Sequence, residues 1–504
     1  MKTDNFGFTH KTGILLPISS LPSKYGIGSF GSSAYEFIDF LKDTNQTVWQ
    51  VLPLNPTSVG DSPYQSPCSN AGNPYFIDLD ILHEEGLVTD EELEKNKHEY
   101  QTIDYGWLFE TRYKLLKKAF IRFTKNDDYY TFIEANKEWL YDYSLFMVLK
   151  LKHQYAEWTK WERDFKDINQ ARKLMPIFMQ DMEYWMFIQF KFYEQWNKLK
   201  SYANISGIKI IGDIPIYVAL DSVDVWKNPN EFLLDENYQP SLVAGCPPDD
   251  FAKDGQLWGN PIYNWKHMEE NGFSFWIKRL STTFKMYDIV RIDHFRGFES
   301  YFTIPFGDKN AKKGKWEKGP DTKLFDALKK EFGENLPIIA EDLGLLTPDV
   351  LKMLKATGFP GMKVLQFAFD SSLKSDYLPH NFNKNCVVYT GTHDNDTIIG
   401  WLSSADENEV KMAKRYLNCN NDSEFNWAMI RSALMSVAET CILMMPDFMG
   451  LDSKARINTP STLGENWQWR IKGECINDWL AEIIYSNTEI SCRLPNKDKT
   501  KKLL

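Results

Sequence analysis

Eight short β-branched and aliphatic runs punctuate the chain, each closed by polar or turn residues. They occupy 13–20 (GILLPISS), 47–54 (TVWQVLPL), 208–218 (IKIIGDIPIYV), 288–295 (DIVRIDHF), 337–344 (PIIAEDLG), 362–369 (MKVLQFAF), 386–394 (CVVYTGTHD) and 441–449 (CILMMPDFM). They lack strict polar–apolar alternation, as strands buried on both faces do, and so predict parallel sheet. Helical patterns separate most of them, at 33–42, 273–286, 323–332, 348–356 and 406–416. Strand and helix in alternation predict βαβ units, and eight such units predict an α/β chain folded as a closed (β/α)8 TIM barrel.

Two gaps are too long for simple crossovers. Within 55–207, Leu116, Ala119, Phe120 and Phe123 have helical spacing, as do Trp185, Ile188, Phe192 and Trp196 in outline. This predicts a helical insertion subdomain over 75–200 whose aromatic stripes pack helix against helix. Between the third and fourth runs, 220–265 is loop-rich and predicts a lid, centred on 245–260, over the catalytic end of the barrel. The whole chain, 1–504, then reads as one interrupted catalytic barrel. The lysines of 309–318 read as a solvated loop.

Charge and composition exclude several functions. A net charge of −11 leaves no basic footprint for nucleic acid. No stretch of about 18 uncharged apolar residues predicts a membrane partner, and the first ten residues have no apolar leader core. Seven scattered Cys with no CxxC spacing fit reduced thiols and a cytoplasmic setting. The 17 Trp, 24 Tyr and 33 Phe fill cores first, but Trp and Tyr also offer flat platforms to hydroxylated ligands.

Cofactor signals fail on inspection. Gly26, Gly28 and Gly31 match GxGxxG, but residues 21–25 separate them from the preceding run, and the second run closes without a carboxylate. A dinucleotide site needs both features, so these glycines read as close backbone turns at the barrel rim. Eight dispersed His without HExxH or HxH spacing predict no metal, and a GxSxG elbow is lacking. No cofactor is expected.

Carboxylates remain. Chemistry in such barrels sits at the C-terminal strand ends. There the chain places Asp213, Asp293, Glu341 with Asp342, and Asp394. Any one alone is ordinarily an N-cap or a structural ion pair, but a set of them at strand ends points to paired-carboxylate chemistry on a glycosidic bond. Arg291, two residues before Asp293 and on the same strand face, is placed to keep Asp293 ionised. Glu341 follows Pro-Ile-Ile-Ala, an apolar context that raises its pKa, as a general acid working near neutral pH requires. Asp394 is placed to bind sugar hydroxyls and offset positive charge developing at the ring.

These blocks are specific. GILLPISSLPSKYGIGSFG, DSPYQSPCSNAGNPYFIDL, GDIPIYVALDSVDVW, VAGCPPDDFAKDGQLWGNPIY, VRIDHFRGF, AEDLGLLTPDV, GMKVLQFAFD and YTGTHDNDT resemble the amylomaltase or disproportionating-enzyme family, the 4-α-glucanotransferases related to the α-amylase clan. The resemblance runs from about residue 13 to 470 and implies that Asp293 is the nucleophile, Glu341 the acid/base and Asp394 the transition-state stabiliser. It also marks Tyr64 as a platform under the sugar at the cleavage point. Asp213, Arg291 and His393 would contact that sugar, Gln256 and Trp258 would lie in the lid near the acceptor, and Asn458 is a further contact. Two departures stand at the eighth strand end. Pro446-Asp447 replaces the usual Gln-Asp, and Thr459 follows Asn458 where an aromatic is common.

The implied reaction is a retaining double displacement that moves a 1,4-α-glucan segment to the 4-hydroxyl of an acceptor. The partners implied are malto-oligosaccharides, starch- or glycogen-derived glucans, and glucose as acceptor. A retaining hydrolase of the amylase type shares the same intermediate, with water in place of the acceptor. A non-catalytic glucan-binding barrel would have lost one of the three carboxylates, and all three are present.

Overall fold

The computed structural model of the chain describes residues 10–248, 253–344, 346–370 and 374–495. Positions 249–252 of the expected lid and Leu345 of the AEDLGLLTPDV block lie outside the described residues, as do residues 1–9.

Twelve strands run along the described residues, in chain order β1 Lys11–Leu15, β2 Val48–Gln50, β3 Lys209–Pro215, β4 Leu242–Cys246, β5 Gln256–Pro261, β6 Ile289–Asp293, β7 Ser300–Pro305, β8 Lys315–Lys318, β9 Ile338–Ala340, β10 Gly361–Val364, β11 Cys386–Tyr389 and β12 Thr440–Met444. Eight form one sheet in the order β10-β11-β12-β1-β2-β3-β6-β9, with every pair parallel. The ends meet where the Ala340 N–H donates to the Pro360 carbonyl at 2.9 Å. This is the expected TIM barrel, and each of the eight apolar runs supplies one strand. β1 and β12 are buried at every residue, so their sequences need no polar face.

The strands are shorter than the runs that predicted them. The run 386–394 is strand only to Tyr389, and 390–397 is a loop that opens the barrel mouth. Register then sets the site, because Asp213 stands opposite Arg291 and Pro215 opposite Asp293 across the β3–β6 pair.

Between β2 and β3 run the helices Tyr105–Arg122, Asp127–Lys152 and Met175–Ile205, with shorter ones between and before them. The longest is fastened by buried amides to the segment that follows β2. Gln189 accepts the Gly72 N–H at 2.7 Å and donates to its carbonyl at 3.0 Å. Gln195 does the same with Asp78, at 2.7 and 3.3 Å. A Cβ on Gly72 would stand 2.1 Å from the Phe192 ring, so only glycine permits this approach.

Residues 220–265, expected as loop, contain β4 and β5. These join β7 and β8 in a second, antiparallel sheet of order β5-β4-β7-β8. Two of its pairings, β4 with β5 and β7 with β8, are hairpins, and the β4–β7 pair joins them across about 60 residues of chain. The lysine run 309–318, expected as a solvated loop, ends in β8, an edge strand whose four residues are exposed. Backbone pairing to β7 leaves its charges in water, the usual dress of a sheet edge. The GxGxxG glycines serve close approach, since a Cβ on Gly28 would lie 1.9 Å from the Ile18 carbonyl oxygen and one on Gly31 2.0 Å from Asp78 Oδ2. Among the described residues no helix is long and apolar enough to cross a membrane.

Candidate active site

Two charged clusters form at the C-terminal mouth of the barrel. In the first, Arg291 is the hub. Its Nη1 donates to both oxygens of Asp213, at 2.8 and 2.7 Å, and its Nη2 to Asp293 Oδ1 at 2.8 Å. Asp213 is wholly buried and Asp293 about a third exposed, so the same guanidinium anchors one carboxylate in the floor and presents the other to the cleft. Alternation along β6 puts residues 291 and 293 on one face, which is why the pair was legible.

Tyr64 links this cluster across the barrel to the loop that follows β11. Its hydroxyl lies 2.9 Å from Asp213 Oδ2 and 3.0 Å from His393 Nε2. A phenol has one proton, and the carboxylate takes it, so His393 Nε2 is the protonated ring nitrogen and donates to the Tyr64 oxygen. The two rings lie nearly parallel at 16°, with centroids 5.3 Å apart. His393 Nε2 also lies 3.3 Å from Asp394 Oδ1, and that oxygen accepts from Asn458 Nδ2 at 2.6 Å. The Asn458 N–H donates to the His393 carbonyl, and Arg456 Nη2 to the Asp394 carbonyl at 2.7 Å. Asp394 is thereby oriented from both its backbone and its side chain.

The second cluster surrounds Glu341, just past β9. Its Oε2 accepts the His294 N–H at 2.7 Å and its Oε1 the Leu343 N–H at 2.9 Å. Burial pushes its acid up to about 8, helped by the negative charge of Asp293 and opposed by Arg291 and the Leu343 N–H. It is therefore a protonated acid at neutral pH. The Asp342 side chain turns away, accepting the Met362 N–H at 2.6 Å.

His294 aims its N–H at Glu341 by adopting the left-handed conformation, φ 53°. Burial lowers its imidazole to about 4, so it is neutral. The ring stands edge-on to Trp258 at 85°, with centroids 4.8 Å apart. Trp258 in turn donates its indole N–H to Gln256 Oε1 at 3.0 Å, both on strand β5.

Of the residues singled out from the sequence, Tyr64, Asp213, Arg291, Asp293, His393, Asp394 and Asn458 fall in the first group at the mouth and Glu341, Trp258 and Gln256 in the second, coupled electrostatically through Asp293 and Arg291 acting on Glu341. Sequence reasoning missed His294, Arg456 and Trp467, whose ring lies 5.8 Å from Tyr64 and 5.9 Å from His393. A position directly after a strand-end Asp was the available signal for His294. Nothing local marked the other two. Among the described residues no group of three or more His, Cys, Asp or Glu is arranged to hold a metal ion.

Comparison with known proteins gives a consistent picture. A 4-α-glucanotransferase family model matches residues 16–476. The chain is 50% identical to a 4-α-glucanotransferase of Clostridium butyricum over 481 residues, covering 94% of this chain and 99% of the relative. It is 43% identical to that of Thermus thermophilus, covering 91% and 94%. Its fold matches the solved amylomaltase of Streptococcus agalactiae, in complex with acarbose, at a TM-score of 0.93 with 39% identity, covering 96% of this chain and 99% of that one.

Proposed function

The chain belongs to the 4-α-glucanotransferase family, and from that premise we propose that it transfers glucan segments by a retaining double displacement through Asp293, Glu341 and Asp394. Asp293 attacks the anomeric carbon and the bond to the leaving glucan breaks as Glu341 delivers its proton to the departing 4-oxygen. Glu341, now a carboxylate, takes the proton of an acceptor 4-hydroxyl, whose oxygen displaces Asp293 and restores an α-1,4 bond. Asp394, oriented by Asn458 and Arg456, offsets the positive charge on the ring at both displacements. Tyr64, Asp213, Arg291, His393 and Asn458 hold the reacting sugar, and Gln256 and Trp258 line the acceptor side.

One observation carries this reading. Two carboxyl groups at the mouth have opposite surroundings, with Asp293 on an arginine and Glu341 buried and raised to about 8. That division of labour is what a nucleophile and a general acid require. Malto-oligosaccharides and starch- or glycogen-derived glucans are the donors in this reading, with glucose among the acceptors, and 75–200 and 220–265 are the helical and lid insertions of a single catalytic barrel. The buried thiols of Cys68, Cys386, Cys419 and Cys441 support a cytoplasmic setting.

The test uses Glu341→Gln with α-maltotriosyl fluoride. Fluoride leaves without acid help, while the second displacement lacks its base, so a glycosyl adduct accumulates on Asp293 and is read by peptide mass spectrometry. No adduct, or an adduct on another residue, overturns the mechanism. With wild type and maltotriose, longer oligomers are expected, and glucose and maltose alone would indicate hydrolysis.

A further inference from the structure

A carboxylate that the reaction above does not use stands at the end of the eighth barrel strand. Asp447 is 1% exposed, in the short helix Met445–Phe448 that follows β12. Its oxygens take different partners. Oδ2 accepts the Thr390 hydroxyl at 2.6 Å, and Oδ1 accepts the Ile398 N–H at 2.8 Å. Thr390 follows directly on β11, and Ile398 opens the helix Ile398–Ser404. One carboxylate therefore grips both ends of segment 390–398, and His393 and Asp394 lie in the middle of it.

The grip is itself held in place. Asn426 Nδ2 donates to the Asp447 carbonyl at 2.9 Å, and Gln366 Nε2 to the Asp396 carbonyl at 2.7 Å. Ser453 Oγ donates to Asp396 Oδ2 at 2.7 Å. Among the described residues no cation pairs with Asp447. The charged group acting on it is Asp396, and burial pushes the Asp447 acid up to about 7. Burying a carboxyl without a counter-ion is expensive, which argues for a task that an apolar side chain could not perform.

We propose that Asp447 is a positioning residue that fixes Asp394 and His393 relative to the reacting sugar by clipping both ends of their loop. This rests on the role given to Asp394 above. The clip works in either protonation state. As a carboxylate it accepts from both partners. As an acid it donates from Oδ2 to the Thr390 oxygen and still accepts the Ile398 N–H at Oδ1. Asparagine supplies the same pair, with Nδ2 donating to Thr390 and Oδ1 accepting from Ile398, whereas alanine supplies neither.

Transfer from maltotriose is measured below the melting temperature of each variant for Asp447→Asn, Asp447→Ala, Thr390→Val, Asp394→Asn and the double variant Asp394→Asn/Asp447→Ala. Asp447→Ala is expected to lose on the order of 10²-fold in kcat, as a displaced reacting group does, with KM changed less than about threefold. Asp447→Asn retains at least about a third of kcat because both bonds survive. Thr390→Val falls between them. In the Asp394→Asn background Asp447→Ala costs little more, because both act through one group. Wild-type kcat in folded Asp447→Ala overturns the proposal, as does a full additional loss in the double variant or Asp447→Asn as impaired as alanine. Should Asp447→Ala fail to fold, wild-type kcat in Thr390→Val overturns it instead. Wild-type kcat in Asp394→Asn would mean that the role of Asp394 itself has failed.

Discussion

The helical insertion and the barrel mouth both bury polar groups, but they settle them differently. In the insertion, Gln189 and Gln195 exchange paired bonds with Gly72 and Asp78, and buried Arg112 donates to the carbonyls of Tyr25, Tyr75 and Ile77. The partners of these three side chains are backbone groups, and the charges the insertion buries meet opposite charges, Asp142 with Arg172 and Lys227, and Lys191 with Glu85 and Glu194. At the mouth, charged groups face one another, with Glu341 raised to about 8 and His294 lowered to about 4. Polar groups in the insertion are matched by partners, whereas Glu341 at the mouth is held protonated at a pH where a carboxyl in water is ionised.

The contrast breaks most decisively on Glu341→Gln. Its loss of transfer from unactivated donors is expected to be roughly 10² to 10⁴, with folding intact because the amide fills the same space. Near-normal turnover would erase the distinction between the two regions. A smaller effect concerns pH. Glu341 must be protonated to act as acid, so kcat/KM for wild type should fall as pH rises through about 8. A profile flat to pH 10 would contradict the assignment.

The insertion should answer the opposite way. Gln189→Leu strands the Gly72 N–H and carbonyl, each buried, at about 1–3 kcal/mol apiece, with kcat of the folded enzyme unchanged. Urea unfolding and turnover at a temperature where the variant is folded check both halves. A large loss of kcat would show that the insertion takes part in the chemistry.

The finest test asks for stability alone. The Glu341 acid is raised in the folded protein, so its stabilising contribution is complete below the unfolded value near 4.5 and is lost as pH rises through about 8. Glu341→Gln removes this dependence. Its melting temperature relative to wild type should therefore be higher at pH 9 than at pH 5, and a constant difference would refute the linkage.

What the sequence revealed follows from the same physics. Strands buried on both faces announce themselves as unbroken apolar runs, and a carboxylate at the end of such a run is conspicuous because little else polar is tolerated there. Asp213, Asp293, Glu341 and Asp394 were legible on those terms. The β5-β4-β7-β8 sheet was not, because its two hairpins meet only through the distant β4–β7 pair and one strand is made of Lys315, Trp316, Glu317 and Lys318. His294 escaped because it acts through a left-handed backbone, and Arg456 and Trp467 because their meaning depends on where a distant loop returns. Asp447 stood in view beside Pro446, where the chain departs from the family pattern, yet only its bonds to Thr390 and Ile398 show what it grips.

The closure of the barrel has one more consequence. β9 and β10 are joined by the bond from the Ala340 N–H to the Pro360 carbonyl, and the Met362 N–H, which a parallel ladder would direct at the Ala340 carbonyl, goes to the Asp342 side chain instead. The cylinder therefore has a seam, and Glu341 stands beside it. Breathing motions that would have to unzip a ladder elsewhere need part with far less at this line. Amide exchange should begin there, and Glu341, the proposed acid/base, sits where the wall yields most easily.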